Sequence, residues 1–138
     1  MTEIRLEVDD LPPPKSQGSA MGPNSKYLPR VRALLEAAQQ AIAEPDYESI
    51  GDHRLHLAVE VHSTPQVEPW DATNYLGGIA DVLEAKDKRT KAGQSLEHLG
   101  DVAKVGLYKD DRQIKQISYK EMPSNRSRYV VTISALDT

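Results

Sequence analysis

The chain has no cysteine and no phenylalanine, a single tryptophan, and only 5% aromatic residues in all. Without cysteine there are no disulfides and no thiolate metal sites. Without phenylalanine the core must come from Leu, Ile, Val and Ala, helped by Trp70 and six tyrosines. No apolar run approaches the roughly 20 residues that a membrane-spanning helix needs. The opening Met1–Glu7 alternates charged and apolar groups and lacks the apolar stretch of a signal peptide, so a cytoplasmic protein is expected. An excess of positive charge is missing too: the net charge is −4 and the pI about 5.5. That argues against a general nucleic-acid coat protein, which binds by neutralising phosphates with Lys and Arg. It leaves room for a protein whose carboxylates hold metal ions. There is no glycine-rich phosphate loop, nucleophile elbow or Ser/His/Asp ordering, and no organic cofactor is expected.

What is present fits one domain, since 138 residues is an ordinary domain length. Residues 3–8 alternate with period two and put Ile4, Leu6 and Val8 on one strand face. Leu11-Pro12-Pro13-Pro14-Lys15 ends that strand, and a flexible loop is expected over about 12–23. A helix follows from near Asn24 to Glu44, with Leu28, Val31, Leu34, Leu35, Ala38 and Ile42 as its apolar stripe. Pro29 falls in its first turn and Pro45 ends it. Residues 54–62 form the clearest strand, with Leu55, Leu57, Val59 and Val61 on one face. Asp71 caps a second helix reaching about Ala85, whose buried stripe is Leu76, Ile79, Ala80 and Leu83. A polar, flexible segment covers about 86–104, with a short helical turn possible at Leu96, Leu99 and Val102. Strands over about 113–122 and 128–136 close the chain, joined through the hairpin-like Pro123–Ser127. The order β-α-β-α-β-β predicts an α+β fold: a mixed, largely antiparallel sheet of about four strands with two main helices.

Several groups of side chains invite chemistry. On the second helix Asp71, Asn74, Gly78 and Asp81 fall at i, i+3, i+7 and i+10, along one side and away from the apolar stripe. As plain structure, Asp71 is a cap and Asp81 a solvated residue. Gly77-Gly78 costs the helix roughly 1 kcal/mol per glycine, which makes sense if a backbone or ligand approaches there. Asp110-Asp111 lies in a turn before a strand, where aspartate often bonds its own backbone. Beside another carboxylate, such a pair would make an all-oxygen ligand set suited to Mg²⁺ or Mn²⁺. Lys86, Lys88, Arg89 and Lys91 form a basic cluster able to meet DNA phosphates, or simply a solvated loop. Lys15, Lys26, Arg30 and Arg32 would extend that surface. His56, Glu60 and His62 share a strand face, but about 20 Å of strand separates the two histidines, so only Glu60 and His62 could share an ion.

Two segments carry a resemblance. Trp70-Asp71-Ala72-Thr73-Asn74-Tyr75-Leu76, continued by Ile79-Ala80-Asp81-Val82-Leu83, resembles the D-x-D-N motif and following helix of the RusA family of Holliday-junction resolvases. Gly106-Leu107-Tyr108-Lys109-Asp110-Asp111-Arg112-Gln113-Ile114 resembles that family's later motif, a glycine, an apolar and an aromatic residue leading to D-D-x-Q. The opening strand with Leu11–Lys15 and the element order are similar too. The resemblance implies a homodimeric, Mg²⁺-dependent endonuclease, with Mn²⁺ as substitute, that nicks branched DNA such as four-way junctions.

Carried over residue by residue, the resemblance places Asp71 and Asp111 at the metal, with Asp81 or Asp110 assisting and Asn74 as the motif asparagine. The catalytic set it implies is Asp71, Asp111 and Asn74, with Lys15, Lys86, Lys88, Arg89 and Lys91 against DNA. Two positions depart from the pattern: the motif's second aspartate is Thr73, and the lysine one turn beyond the asparagine is Gly77. Glu60 or Asp110 would be the candidate replacement ligands. The departures favour an alternative of another class, a catalytically silent relative that binds branched DNA or a protein partner through the same cleft.

Overall fold

The computed structural model describes residues 2–15, 22–65, 71–85 and 97–136. The first strand, β1 (Glu3–Val8), buries Ile4, Leu6 and Val8 and exposes the alternate residues, as its period-two pattern requires. Helix α1 (Leu28–Ile42) starts later than the expected Asn24, because residues 22–27 form turns. It buries Val31, Leu34, Leu35 and Ala38, while Ile42 stays 37% exposed at the helix end. Strand β2 (Leu55–Ser63) and helix α2 (Ala72–Leu83) follow, then β3 (Ile114–Pro123) and β4 (Arg128–Ala135). Short 3₁₀ turns occupy Glu97–Val102 and Asp111–Gln113. The first of these is the helical turn expected near Leu99 and Val102. The fold is α+β, with a mixed four-stranded sheet and two main helices.

The strands lie in the order β1-β4-β2-β3. β4 runs antiparallel to both neighbours, setting Val131 opposite Leu6 on one side and Val59 on the other. β2 and β3 run parallel, with Val59 opposite Tyr119. This corrects the expected hairpin: Pro123–Ser127 joins strands that are not neighbours, and β2 lies between them. Ser124 N–H donates to the Ser63 carbonyl at 2.9 Å as the chain steps over the end of β2. The physical reason lies in the side chains. Leu55, Leu57, Val59 and Val61 are all buried and suit a central strand, whereas Lys115–Ser118 of β3 are exposed and suit an edge.

Helix α2 is rotated from the expected stripe. Tyr75, Gly78, Ile79, Val82 and Leu83 are buried, and Leu76 is only partly so. The two glycines explain the rotation. Leu11–Pro14 are buried, not a loose loop, and their backbone crosses α2 at Gly78. A Cβ at Gly78 would sit 1.8 Å from the Pro13 carbonyl oxygen, and one at Gly77 would meet the Lys15 side chain, with Cδ at 2.8 Å. Lys15 N–H donates to the Asn74 carbonyl at 3.0 Å and fixes the crossing. The close approach inferred from Gly77-Gly78 is therefore a backbone and a lysine stem.

The two glycines should respond differently to alanine. Gly78→Ala should destabilise the protein by about 3 kcal/mol, because the Pro13 backbone cannot give way as a side chain does. Gly77→Ala should change stability by less than about 1 kcal/mol, since the helix gains propensity and Lys15 can swing aside. Urea unfolding of both variants measures the contrast, and equal losses would contradict it.

Candidate metal centre

The end of α2 and the turn before β3 are stitched together by backbone. Leu107 N–H donates to the Leu83 carbonyl and Ala85 N–H to the Tyr108 carbonyl, both at 2.8 Å. The Tyr108 hydroxyl donates to the Ala80 carbonyl one turn earlier. Gly106 permits this approach, because a Cβ there would lie 3.0 Å from Ala85 Cα. Asp110 caps the 3₁₀ turn that follows, its carboxylate accepting from Arg112 N–H at 2.9 Å. Gln113 closes the cap from the other side: its side-chain oxygen accepts from Lys109 and Asp110 N–H, both at 2.9 Å. Its amide donates to the carbonyls of Gly51 and His53, at 3.0 and 2.8 Å. The glutamine of the D-D-x-Q motif thus anchors the aspartate turn to the loop before β2.

This stitching brings Glu84 to the aspartate pair. Asp111 N–H donates to the Glu84 carboxylate at 2.9 Å, and one carboxylate oxygen from each of Glu84, Asp110 and Asp111 lies within 4.8 Å of the others. Glu84 and Asp110 are half-buried and Asp111 is exposed, so the group opens to solvent on one side. Arg112 lies against Asp110, with Nη2 3.0 Å from Oδ2, and that contact raises the Arg112 pKa further. An all-oxygen set of this kind fits a hard divalent cation such as Mg²⁺ or Mn²⁺. Sequence reasoning missed Glu84. The available signal was its position one turn after Asp81, on the same helix.

Asp71 lies elsewhere. It caps the start of α2, and Glu84 stands at the other end of that 12-residue helix. At 1.5 Å per residue the two are separated by about 20 Å. Asp71 therefore lies outside the group that gathers Glu84, Asp110 and Asp111. Their separation follows from the parallel strands: Asp71 comes after the end of β2, and Asp111 comes before the start of β3. Asp81 lies between the two ends and outside the three-carboxylate group.

The surroundings of Asp71 are those of a helix cap. Its Oδ1 accepts from Asn74 N–H at 2.9 Å, from the Thr73 hydroxyl at 2.8 Å and from Asn74 Nδ2 at 3.4 Å. Thr73 is thus a donor to Asp71. The Asn74 backbone N–H, then the Thr73 hydroxyl, holds the Asp71 carboxyl below the ordinary value of 3.8. Asn74 itself ties the cap to the Lys15 backbone.

The remaining expected residues divide. Lys86, Lys88, Arg89 and Lys91 lie outside the described residues, as does Trp70. Lys15 is exposed, with its stem over Gly77. Arg32 is spent on structure, donating to the carbonyls of His98 at 2.6 Å and Leu99 at 3.2 Å. Arg30 lies 3.9 Å from Asp10 and donates to the Pro12 carbonyl. Arg30 and Lys26 both lie over the Tyr27 ring. Glu60 is bound by His62 and Lys120, each at 3.1 Å, and these contacts hold its carboxyl below its ordinary range. His56 instead contacts Ser118 at 2.8 Å, so the strand histidines do not converge. No helix among the described residues is long and apolar enough to cross a membrane. Compared with known protein families and with curated proteins, the chain matches no family model and no curated sequence.

The Asp71 cap should titrate. A carboxyl depressed in the folded state stabilises the fold above its unfolded value, and that contribution is lost as pH falls through the folded value. Asp71→Ala should therefore be less stable than the native chain at pH 7, with the gap narrowing once the pH drops below 3.8. Thermal melts of both proteins across pH 2–7 test this. A gap independent of pH would show that the charge on Asp71 is not part of the cap.

Proposed function

We propose that this chain is a divalent-cation-dependent, structure-selective DNA endonuclease of the Holliday-junction-resolving type, acting on branched DNA in the cytoplasm. The observation that carries the reading is the convergence of Glu84, Asp110 and Asp111 within 4.8 Å, on a motif that resembles the RusA family's second acidic motif. These three residues would hold the cation, Mg²⁺ or its substitute Mn²⁺. When bound, the ion would neutralise phosphodiester charge and activate water. Asp111, the most exposed of the three, is the group that reaches substrate. Arg112 is 84% exposed and on a free stem; it is placed to exchange Asp110 for a phosphate oxygen. Lys15, exposed where the family carries its lysine on the neighbouring helix turn, is the described cation best placed to meet the DNA backbone.

A second reading, favoured by one specific observation, is a catalytically silent relative that binds branched DNA or a protein partner. Thr73 and Asn74 turn Asp71 into a hydrogen-bonded cap, leaving the first motif without its pair of acids.

The two readings separate on a labelled four-way junction and a matched duplex, each with Mg²⁺, Mn²⁺ or EDTA. Metal-dependent nicks at the junction, absent on duplex, are expected. Asp111→Asn and Glu84→Gln should each lower cutting by roughly 100-fold or more while junction binding is kept, as loss of several kcal/mol of charge stabilisation implies. Binding without cutting under every metal condition would establish the silent relative. Calorimetric titration with Mn²⁺ gives an independent readout, with binding lost in Glu84→Gln.

A further inference from the structure

β1 stands at an edge of the sheet, and among the described residues its only strand partner is β4. Ala135 N–H donates to the Thr2 carbonyl at 2.9 Å, and Glu3 lies opposite Ser134. Bonded and unbonded pairs alternate along an antiparallel ladder, so Ile4, Leu6 and Val8 spend their backbone groups on β4. The N–H and C=O of Glu3, Arg5 and Glu7 therefore point away from the sheet. Such a row is a template for an added strand.

This edge opens onto a groove. About 520 Å³ of space lies between β1 and the C-terminal half of α1, with Ala37, Ala41 and Tyr47 along it. Past the helix end, exposed Glu44, Asp46 and Glu48 form the rim, and Glu3 borders it on the strand side. Glu7 is already answered, by Arg5 at 2.6 Å and by Arg128 at 3.0 Å. Among the described residues no cation pairs with Glu3, Glu44, Asp46 or Glu48. The end of α1 adds to the deficit. Its last carbonyls carry partial negative charge, and no basic residue stands in its last turn.

That charge repels the phosphates of a nucleic acid, and it would set the acidic rim of a second copy against this one. It suits Lys and Arg. A strand laid along β1 places alternate side chains beside Ile4 and Leu6, on the side of the groove. There the apolar stem of a Lys or Arg covers Ala37 and Ala41, while its head reaches Glu44, Asp46 or Glu48.

We propose that β1 and the C-terminal end of α1 form a docking groove for an extended, Lys/Arg-rich segment of a partner protein, which joins the sheet beside β1. Backbone bonds to Glu3, Arg5 and Glu7 supply affinity, and the acidic rim selects the sequence. The groove lies at the opposite edge of the sheet from β3 and the aspartate turn before it. Binding is read without metal or DNA, so it stands or fails separately from cutting.

The probe is a capped peptide of alternating Arg and Val, about as long as β1, titrated calorimetrically into the full chain. It should bind about tenfold or more tightly than its Glu/Val counterpart. The same margin is expected over an Arg/Val peptide N-methylated throughout, which keeps the charge but cannot donate to a strand edge. Bound peptide should slow hydrogen exchange at the Arg5 and Glu7 amides, whereas those of Ile4 and Leu6 should be slow with or without it. Arg5→Pro removes an outward N–H that β4 does not use, and should weaken binding about tenfold. Arg5→Ala keeps that N–H and loses a competing cation, so it should bind at least as tightly as the native chain. Glu44→Lys/Glu48→Lys should weaken binding about tenfold, with circular dichroism showing the variants folded. An Arg/Val peptide that does not bind, or binds equally well when N-methylated, would overturn the proposal. So would indifference to Glu44→Lys/Glu48→Lys. Protection of the Arg5 and Glu7 amides on concentrating the chain alone would give the edge to a second copy and overturn it as well.

Discussion

α2 carries no side chain at Gly77 and Gly78, and the Pro13–Pro14 backbone with the Lys15 stem lies in the gap. That seat fixes the helix about its own axis. With the glycines turned toward the N-terminal segment, Tyr75, Ile79 and Val82 go into the core and Asp81 stays at the rim. The seat also fixes the helix along its length, because Lys15 N–H bonds Asn74 at its first turn. Glu84 is thereby carried to the place where Leu107 and Tyr108 dock. A Cβ at Gly78 would dislodge all of these together.

α2 then acts as a spacer between two acidic ends. At its start Asp71 is satisfied by donors from Thr73 and Asn74 and does the work of a cap. At its end Glu84 meets Asp110 and Asp111, where carboxylates crowd and an arginine already answers them. Three carboxylates at such distances repel unless a cation sits among them. Arg112 supplies part of that charge, and a divalent ion would supply it more fully. The carboxylates of the chain therefore gather at the docked turn and not at the helix cap.

The strands and helices were largely legible from side-chain period. The β1 strand matches its expected residues, and the ends of β2, β3 and β4 differ by a residue. Alternation of apolar residues is local and survives folding, because each strand has one buried face. The stripe of α2 was misread for a physical reason: periodicity sees apolar side chains, and Gly78 is buried with none. The expected hairpin failed similarly. A turn-rich pentapeptide is visible in the sequence, but a strand inserted between its arms is not. For the site, Asp110 and Asp111 could be marked as acids in a turn, whereas the one pointer to Glu84 was its place a turn after Asp81, which says nothing of the distant turn it meets.

By itself the sequence determined the elements, the faces they bury, the capping role open to Asp71, and the demand for a close approach at Gly77-Gly78. These are short-range properties, set by spacing along the chain and by backbone sterics. Only the tertiary structure decided that β2 parts β3 from β4, that Asp71 and Asp111 stand at opposite ends of α2, and that Glu84 joins the aspartate pair. Those depend on which distant segments meet, and the backbone bonds from Leu107 to Leu83 and Ala85 to Tyr108 bring together residues far apart in the chain.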